Sequence, residues 1–125
     1  MANKLIVSPA GLQDALGQVL KALAEIKQVQ VPQSVAGLSV SPVAQSIAAS
    51  LASGHKTAVL LGNLAQHLPH YGEVHALAQE IARLSGATLG VMGEAANSVG
   101  AYLAGAVPFA GPLGKPAITG MNAAE

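Results

Sequence analysis

Residues 57–91, TAVLLGNLAQHLPHYGEVHALAQEIARLSGATLGV, decide how the chain is read. TAVLLG, residues 57–62, is a compact apolar run closed by glycine, with the length and composition of a parallel strand covered on both faces. Further on, Val74, Leu77, Ile81 and Leu84 recur at steps of 3, 4 and 3, with Arg83 in the last turn and Gly86 just beyond. That is one apolar stripe of a helix with a dipole-favoured cation and a glycine stop. ATLGV, residues 87–91, then offers a second strand. Strand, helix and strand in this order predict a parallel pair joined by a crossover, and hence the α/β class.

Working outward, the same alternation extends in both directions. KLIV, residues 4–7, is a further short apolar run read as a strand, and Ser8 with Pro9 supplies a helix cap and a first-turn proline. Leu12, Leu16, Val19, Leu23 and Ile26 form a helical stripe that ends near Lys27, with Asp14 and Lys27 placed to suit the dipole. Gly17 inside this helix costs about 1 kcal/mol relative to alanine, which implies close approach of another backbone. Residues 28–40 show no period and read as a connecting loop. Ser41 and Pro42 then open a second helix with Val43, Ile47 and Leu51 on one face and Gly54 as its stop. After the 87–91 strand, EAANSVGAYLAG reads as a small-residue helix. The expected architecture is a small three-layer α/β domain over residues 1–106, a parallel sheet flanked by helices. Residues 107–125, with three prolines and three glycines and no period, form a tail or docking segment.

Composition narrows the functional classes. A chain of 125 residues can bury a core without disulfides or a structural metal. It is 51% hydrophobic and only 10% charged, with a mean hydropathy of +0.47, which is oily for a monomer. No apolar run approaches the roughly 20 residues needed to cross a bilayer, and the N-terminus lacks the long apolar core of a secretion signal. No direct membrane insertion and a cytoplasmic location are therefore expected. Six basic and six acidic residues are scattered, and aromatics make up 2%, so neither an electrostatic footprint nor stacking platforms for nucleic acid are present. The absence of cysteine removes thiolate nucleophiles and cysteine-held iron–sulfur or zinc sites.

The linear motifs for phosphate and dinucleotide are incomplete. A phosphate-binding P-loop fails at FAGPLGKP, where Phe109 and Pro116 stand at the first and last defining places. The dinucleotide fingerprint fails because Gly86, Gly90 and Gly93 have the wrong spacing. Glycines in a strand-to-helix turn still allow either a ligand crevice or tight packing. His67, His70 and His75 gather beside Glu73, but Pro69 and Gly72 interrupt the segment, so a solvent-exposed loop is expected there and no zinc motif. No serine or threonine has a histidine and an acid at triad spacing.

Two blocks taken together, LLGNLAQHLP at 60–69 and GATLGVMGEAANSVGAYLAG at 86–105, within residues 56–108, resemble the C-terminal half of the large peripheral-arm subunit of bacterial NADH-quinone oxidoreductase, respiratory complex I. IVSPAGLQDAL, residues 6–16, is compatible with a neighbouring part of the same subunit. The resemblance implies a piece of the nucleotide-binding-like α/β subdomain of the molybdopterin oxidoreductase superfamily, excised from a longer chain. It implies a scaffolding role in NADH-to-quinone electron transport, on the cytoplasmic side of the inner membrane. The implied partners are the remainder of that large subunit and the other peripheral-arm subunits, and this piece carries no cofactor of its own. Iron–sulfur clusters are expected elsewhere in the parent. In catalytic relatives the block matching Gly93 to Gly100 lies beside a bis-pterin cofactor, so Gly62, Asn63, Gly93 and Asn97 are the candidate residues of a vestigial crevice. The alternatives are a cofactor-contacting piece of a molybdopterin enzyme such as a formate dehydrogenase, and an independent small-ligand module around Gly62 and Asn97. The oily composition further predicts self-association through Val107, Phe109, Leu113 and Ile118, or a tail folded back on its own core.

Overall fold

The computed structural model describes residues 3–108, 110–118 and 120. The chain divides into two compact units, Met1–Met92 and Gly93–Glu125. The first contains α1 (Leu12–Ile26), α2 (Pro42–Ser53), β1 (Ala58–Leu61), the short α3 (Asn63–Gln66), α4 (Tyr71–Ser85) and β2 (Thr88–Val91). The second contains α5 (Ser98–Ala104), an isolated antiparallel bridge between Val107 and Ala110, and a 3-10 turn at Pro112–Gly114. The α/β class is thus present, with a sheet of two parallel strands in which Ala58, Val59, Leu60 and Leu61 face Thr88, Leu89, Gly90 and Val91.

Local chemistry accounts for the helix boundaries. Ser8 Oγ accepts the Gly11 N–H in the 3-10 turn that leads into α1, and Ser41 Oγ accepts the Ala44 N–H at the start of α2. At the end of α4, Gly86 takes the left-handed conformation at φ 73°. The Ala87 N–H then reaches the Ala82 carbonyl at 2.9 Å, a glycine stop that turns the chain directly into β2.

α1 is the hub of the first unit. It packs against both α2 and α4, so more than one stripe is covered: Val19, Leu20 and Leu23 are buried together with Ala15, Ala22 and Ala24. Leu20, Leu23, Ile81 and Val74 are the largest side chains fully removed from solvent, each contributing about 1.5–3 kcal/mol. α2 approaches α1 through fully buried Ala44 and Ala48, while Val43, Ile47 and Leu51 flank the contact half-buried. The loop at 28–40 is docked. Its Val35 is only 3% exposed and belongs to the main core, and the Lys21 ammonium donates to the Ala36 and Leu38 carbonyls at 2.7 and 2.8 Å. Gly17 is the reason Val35 fits, since a Cβ there would stand 3.2 Å from Val35 Cγ1 and 2.5 Å from Leu38 Cδ1. The close approach at Gly17 is thus made by this pair of side chains and not, as expected, by another backbone.

Three expectations need correction. Residues 4–7 form no strand: among the described residues the sheet consists of β1 and β2, and no backbone hydrogen bond joins this run to another described residue; Ile6 is 77% exposed. An apolar run becomes a strand only where a ladder receives it. β1 is covered on one face only. Val59 and Leu61 turn toward the helices with Leu89, whereas Leu60 on the other face is 65% exposed and lies across Gly90. The helices all serve one side of the ribbon in this unit, so the other side has no second layer. Finally, Gly72 does not interrupt the histidine segment, because α4 already begins at Tyr71.

The docked loop gives a direct stability test. Val35→Ala is expected to lower the unfolding free energy by about 2 kcal/mol, from two lost methyl groups and the void they leave. Lys21→Met keeps the aliphatic stem but removes both carbonyl bonds and should cost about 1 kcal/mol. Because both changes act on one loop, urea denaturation of the double variant should show a loss smaller than the sum. Strict additivity would mean that the loop is not held as a unit.

Candidate functional site

In parallel α/β structures ligands gather beyond the carboxyl ends of the strands, and this is where the first two candidate residues lie. β1 ends at Leu61, Gly62 is the N-cap of α3, and Asn63 is its first residue; both are exposed. Beside them β2 runs out through Val91 to Met92. The Met92 N–H donates to the Leu61 carbonyl at 2.9 Å, and the Gln66 side-chain amide donates to the Met92 carbonyl at 2.6 Å. Gln66 thus ties α3 to the end of β2 and fixes a small ledge whose exposed apolar residues are Leu64, Val91 and Met92. Gly62 has an ordinary φ of −73° and nothing within 4 Å of the place a Cβ would occupy. Packing does not require glycine at this position.

Gly93 and Asn97 belong to the second unit. Gly93 lies in irregular backbone, where a Cβ would make ordinary contact with Ser98 at 3.4 Å. Ser98 Oγ accepts the Ala95 N–H and donates to the Ala95 carbonyl, both at 3.1 Å, closing the turn before α5. Asn97 stands at the N-cap of α5 but makes no side-chain cap bond; its carboxamide lies over Gly100, where a Cβ would run into it. The four candidates are therefore two local pairs, one in each unit. Most other glycines of this region have structural duties. Gly90 accommodates Leu60, Gly86 ends α4, and Gly105 ends α5 at φ 77° with its Cβ position 2.6 Å from the Pro112 nitrogen.

In the histidine segment, the contacts of His70 and His75 are local. His67 ends α3, His70 precedes α4 with its Nδ1 3.6 Å from Glu73, and His75 meets the Tyr71 ring at 5.8 Å between centroids. Among the described residues, no group of three or more His, Cys, Asp or Glu is placed to hold a metal ion. On α4, Glu80 and Arg83 form a two-pronged ion pair. The hydrogen bond from Arg83 holds the Glu80 carboxyl below its ordinary range, and the same bond raises the guanidinium. Among the described residues, no helix is long and apolar enough to cross a membrane.

What sequence reasoning missed is the openness of the ribbon's outer face and of α5. Val99, Tyr102 and Leu103 are exposed at i, i+3 and i+4 on one side of that helix. Of the tail residues singled out, Leu113 and Ile118 are exposed, Val107 is half-buried in its bridge, and Phe109 lies outside the described residues.

Glycine replacements separate structural duty from other roles. Gly105→Ala combines left-handed strain of about 1–2 kcal/mol with overlap against the Pro112 backbone, and should unfold the second unit as read by faster chymotryptic cleavage after Tyr102. Gly62→Ala and Gly93→Ala should each leave thermal stability within about 0.5 kcal/mol; a large loss at Gly62 would show a packing duty absent from this geometry. No family model, curated protein or solved structure matches the chain.

Proposed function

We propose that the chain is a structural subdomain of an electron-transfer subunit, of the kind found in the large peripheral-arm subunit of NADH-quinone oxidoreductase, and that it works by docking and not by catalysis. In this reading the β1–α3–α4–β2 ribbon is one part of a larger three-layer sheet. The remainder of the large subunit supplies the layer over its outer face, in the peripheral arm on the cytoplasmic side of the membrane. Electrons travel through clusters held elsewhere in that subunit, and this chain contributes shape and contact area.

The observation that carries the reading is Leu60. A leucine in the middle of a parallel strand, 65% exposed, with Leu64, Val91 and Met92 exposed nearby in sequence or at the neighbouring strand end, is unusual for a sheet face that stays in water. The partner is proposed from the resemblance of residues 60–69 and 86–105 to the complex I subunit, blocks that β1, α3 and β2 lie within or overlap.

The test is co-elution of this chain with the separately expressed remainder of a bacterial large peripheral-arm subunit. The wild type should bind, and Leu60→Asp should bind at least about tenfold more weakly, since burying a leucine contributes about 1.5–3 kcal/mol. Its circular dichroism and melting temperature should stay close to those of the wild type. Failure of the wild type to bind, or equal binding by Leu60→Asp, would overturn the proposal.

A further inference from the structure

We propose a second site in the first unit: the cleft between the start of α1, the 32–38 loop and α4 binds an organic cation with an apolar stem, of the alkylguanidinium or alkylammonium class. None of its lining residues belongs to the exposed apolar set around Leu60, so the inference stands apart from the docking role.

The cleft encloses about 570 Å³, within the range of small-molecule sites. Its floor is apolar, with Leu20, Val35 and Leu77 among its lining residues, and three carboxylates, Asp14, Glu73 and Glu80, line it as well. Among the described residues no lysine, arginine or histidine lines it. The charged side chains of the lining are therefore all acidic, although the chain as a whole is balanced. Such a lining repels anions and favours a cationic head, while the floor favours a hydrocarbon stem.

The carboxylates are not equivalent. Glu80 is already engaged by Arg83, which itself does not line the cleft. Glu73 lies 3.6 Å from His70 Nδ1, a well-exposed contact that is an ion pair only while the imidazole is protonated. The head group is therefore assigned to Asp14 and Glu73, with the stem running over Leu77 toward Glu80. Glu73 and Glu80 are seven residues apart on α4 and share a face about two turns, or ~10 Å, apart along the axis. A stem of about six carbons spans most of that length. A bare metal ion fits less well, because no three ligating groups converge there among the described residues. The far wall is set in advance by the Lys21 bonds to Ala36 and Leu38, so little ordering is needed on binding.

The test is a titration of the full chain, followed by amide NMR shifts, with n-hexylguanidinium, 1-hexanol and hexanoate at fixed ionic strength. Hexylguanidinium should shift the Gly17, Val35 and Leu77 amides saturably, with a Kd at least about tenfold below that of hexanol, and hexanoate should not bind. Asp14→Asn and Glu73→Gln should each weaken binding about threefold and together about tenfold, with the remaining spectrum unchanged, and added salt should weaken the wild type further. Equal binding of hexanol, shifts centred elsewhere, or an unchanged Kd in the folded double variant would each overturn the proposal.

Discussion

One ammonium group organises the first unit. The loop between α1 and α2 has no ladder or helix to satisfy its carbonyls, and such groups must find donors wherever they are removed from water. Lys21, reaching out from α1, provides two of those bonds at once. With Ala36 and Leu38 held, Val35 enters the core over the bare backbone of Gly17. The same loop then delivers Ser41 to the start of α2, where the Gln18 side chain of α1 accepts the Ser41 N–H at 3.2 Å. α2 is thus anchored at its N-cap before any of its apolar contacts is counted. Lys27 adds a weaker hold at the other end, donating to the Ala52 carbonyl at 3.4 Å.

Much of the helical frame was legible from spacing and caps. The stripe at Val74, Leu77, Ile81 and Leu84, the Ser41–Pro42 start and the Gly86 stop each identify a real boundary or buried face, because they are local and depend on helix geometry alone. Ala44 and Ala48 were not legible as the closest contacts of α2, since alanine is at home on either side of a helix and only the partner decides. Val35 was hidden because a loop has no period to betray a buried residue. The exposed face of β1 was hidden for a different reason. An apolar run states that a strand can be covered on both sides, while coverage depends on layers packed from outside that run.

The candidate sites divide in the same way. The glycine-rich stretch from 86 to 105 suggests a crevice, yet four of its glycines answer to Leu60, to Asn97 or to the two helix stops. At Gly62 and Gly93 neither the backbone angle nor the neighbours require glycine. The acid-lined cleft left no trace in the linear pattern. Asp14 belongs to one helix and Glu73 and Glu80 to another, and only the packing of α1 against α4, with the loop as a wall, assembles them.

The parallel pairing of β1 with β2 has a kinetic meaning. Ala58 meets Thr88 across the whole of α3 and α4, so closing the sheet requires a long segment to be brought round first. Loop closure of that size is repaid only once the intervening chain is compact. The backbone hydrogen bonds of α4, by contrast, close within the helix itself, although its packing on α1 joins residues still farther apart in sequence than the two strands. The individual helices are therefore expected to form before the strand ladder closes. The ribbon, short and uncovered on one face, is also where native-state opening should begin. Amide protons of Val91 and Met92 should then exchange by small excursions that leave α1 and α4 intact. The strand pair can open and close while its scaffold remains folded.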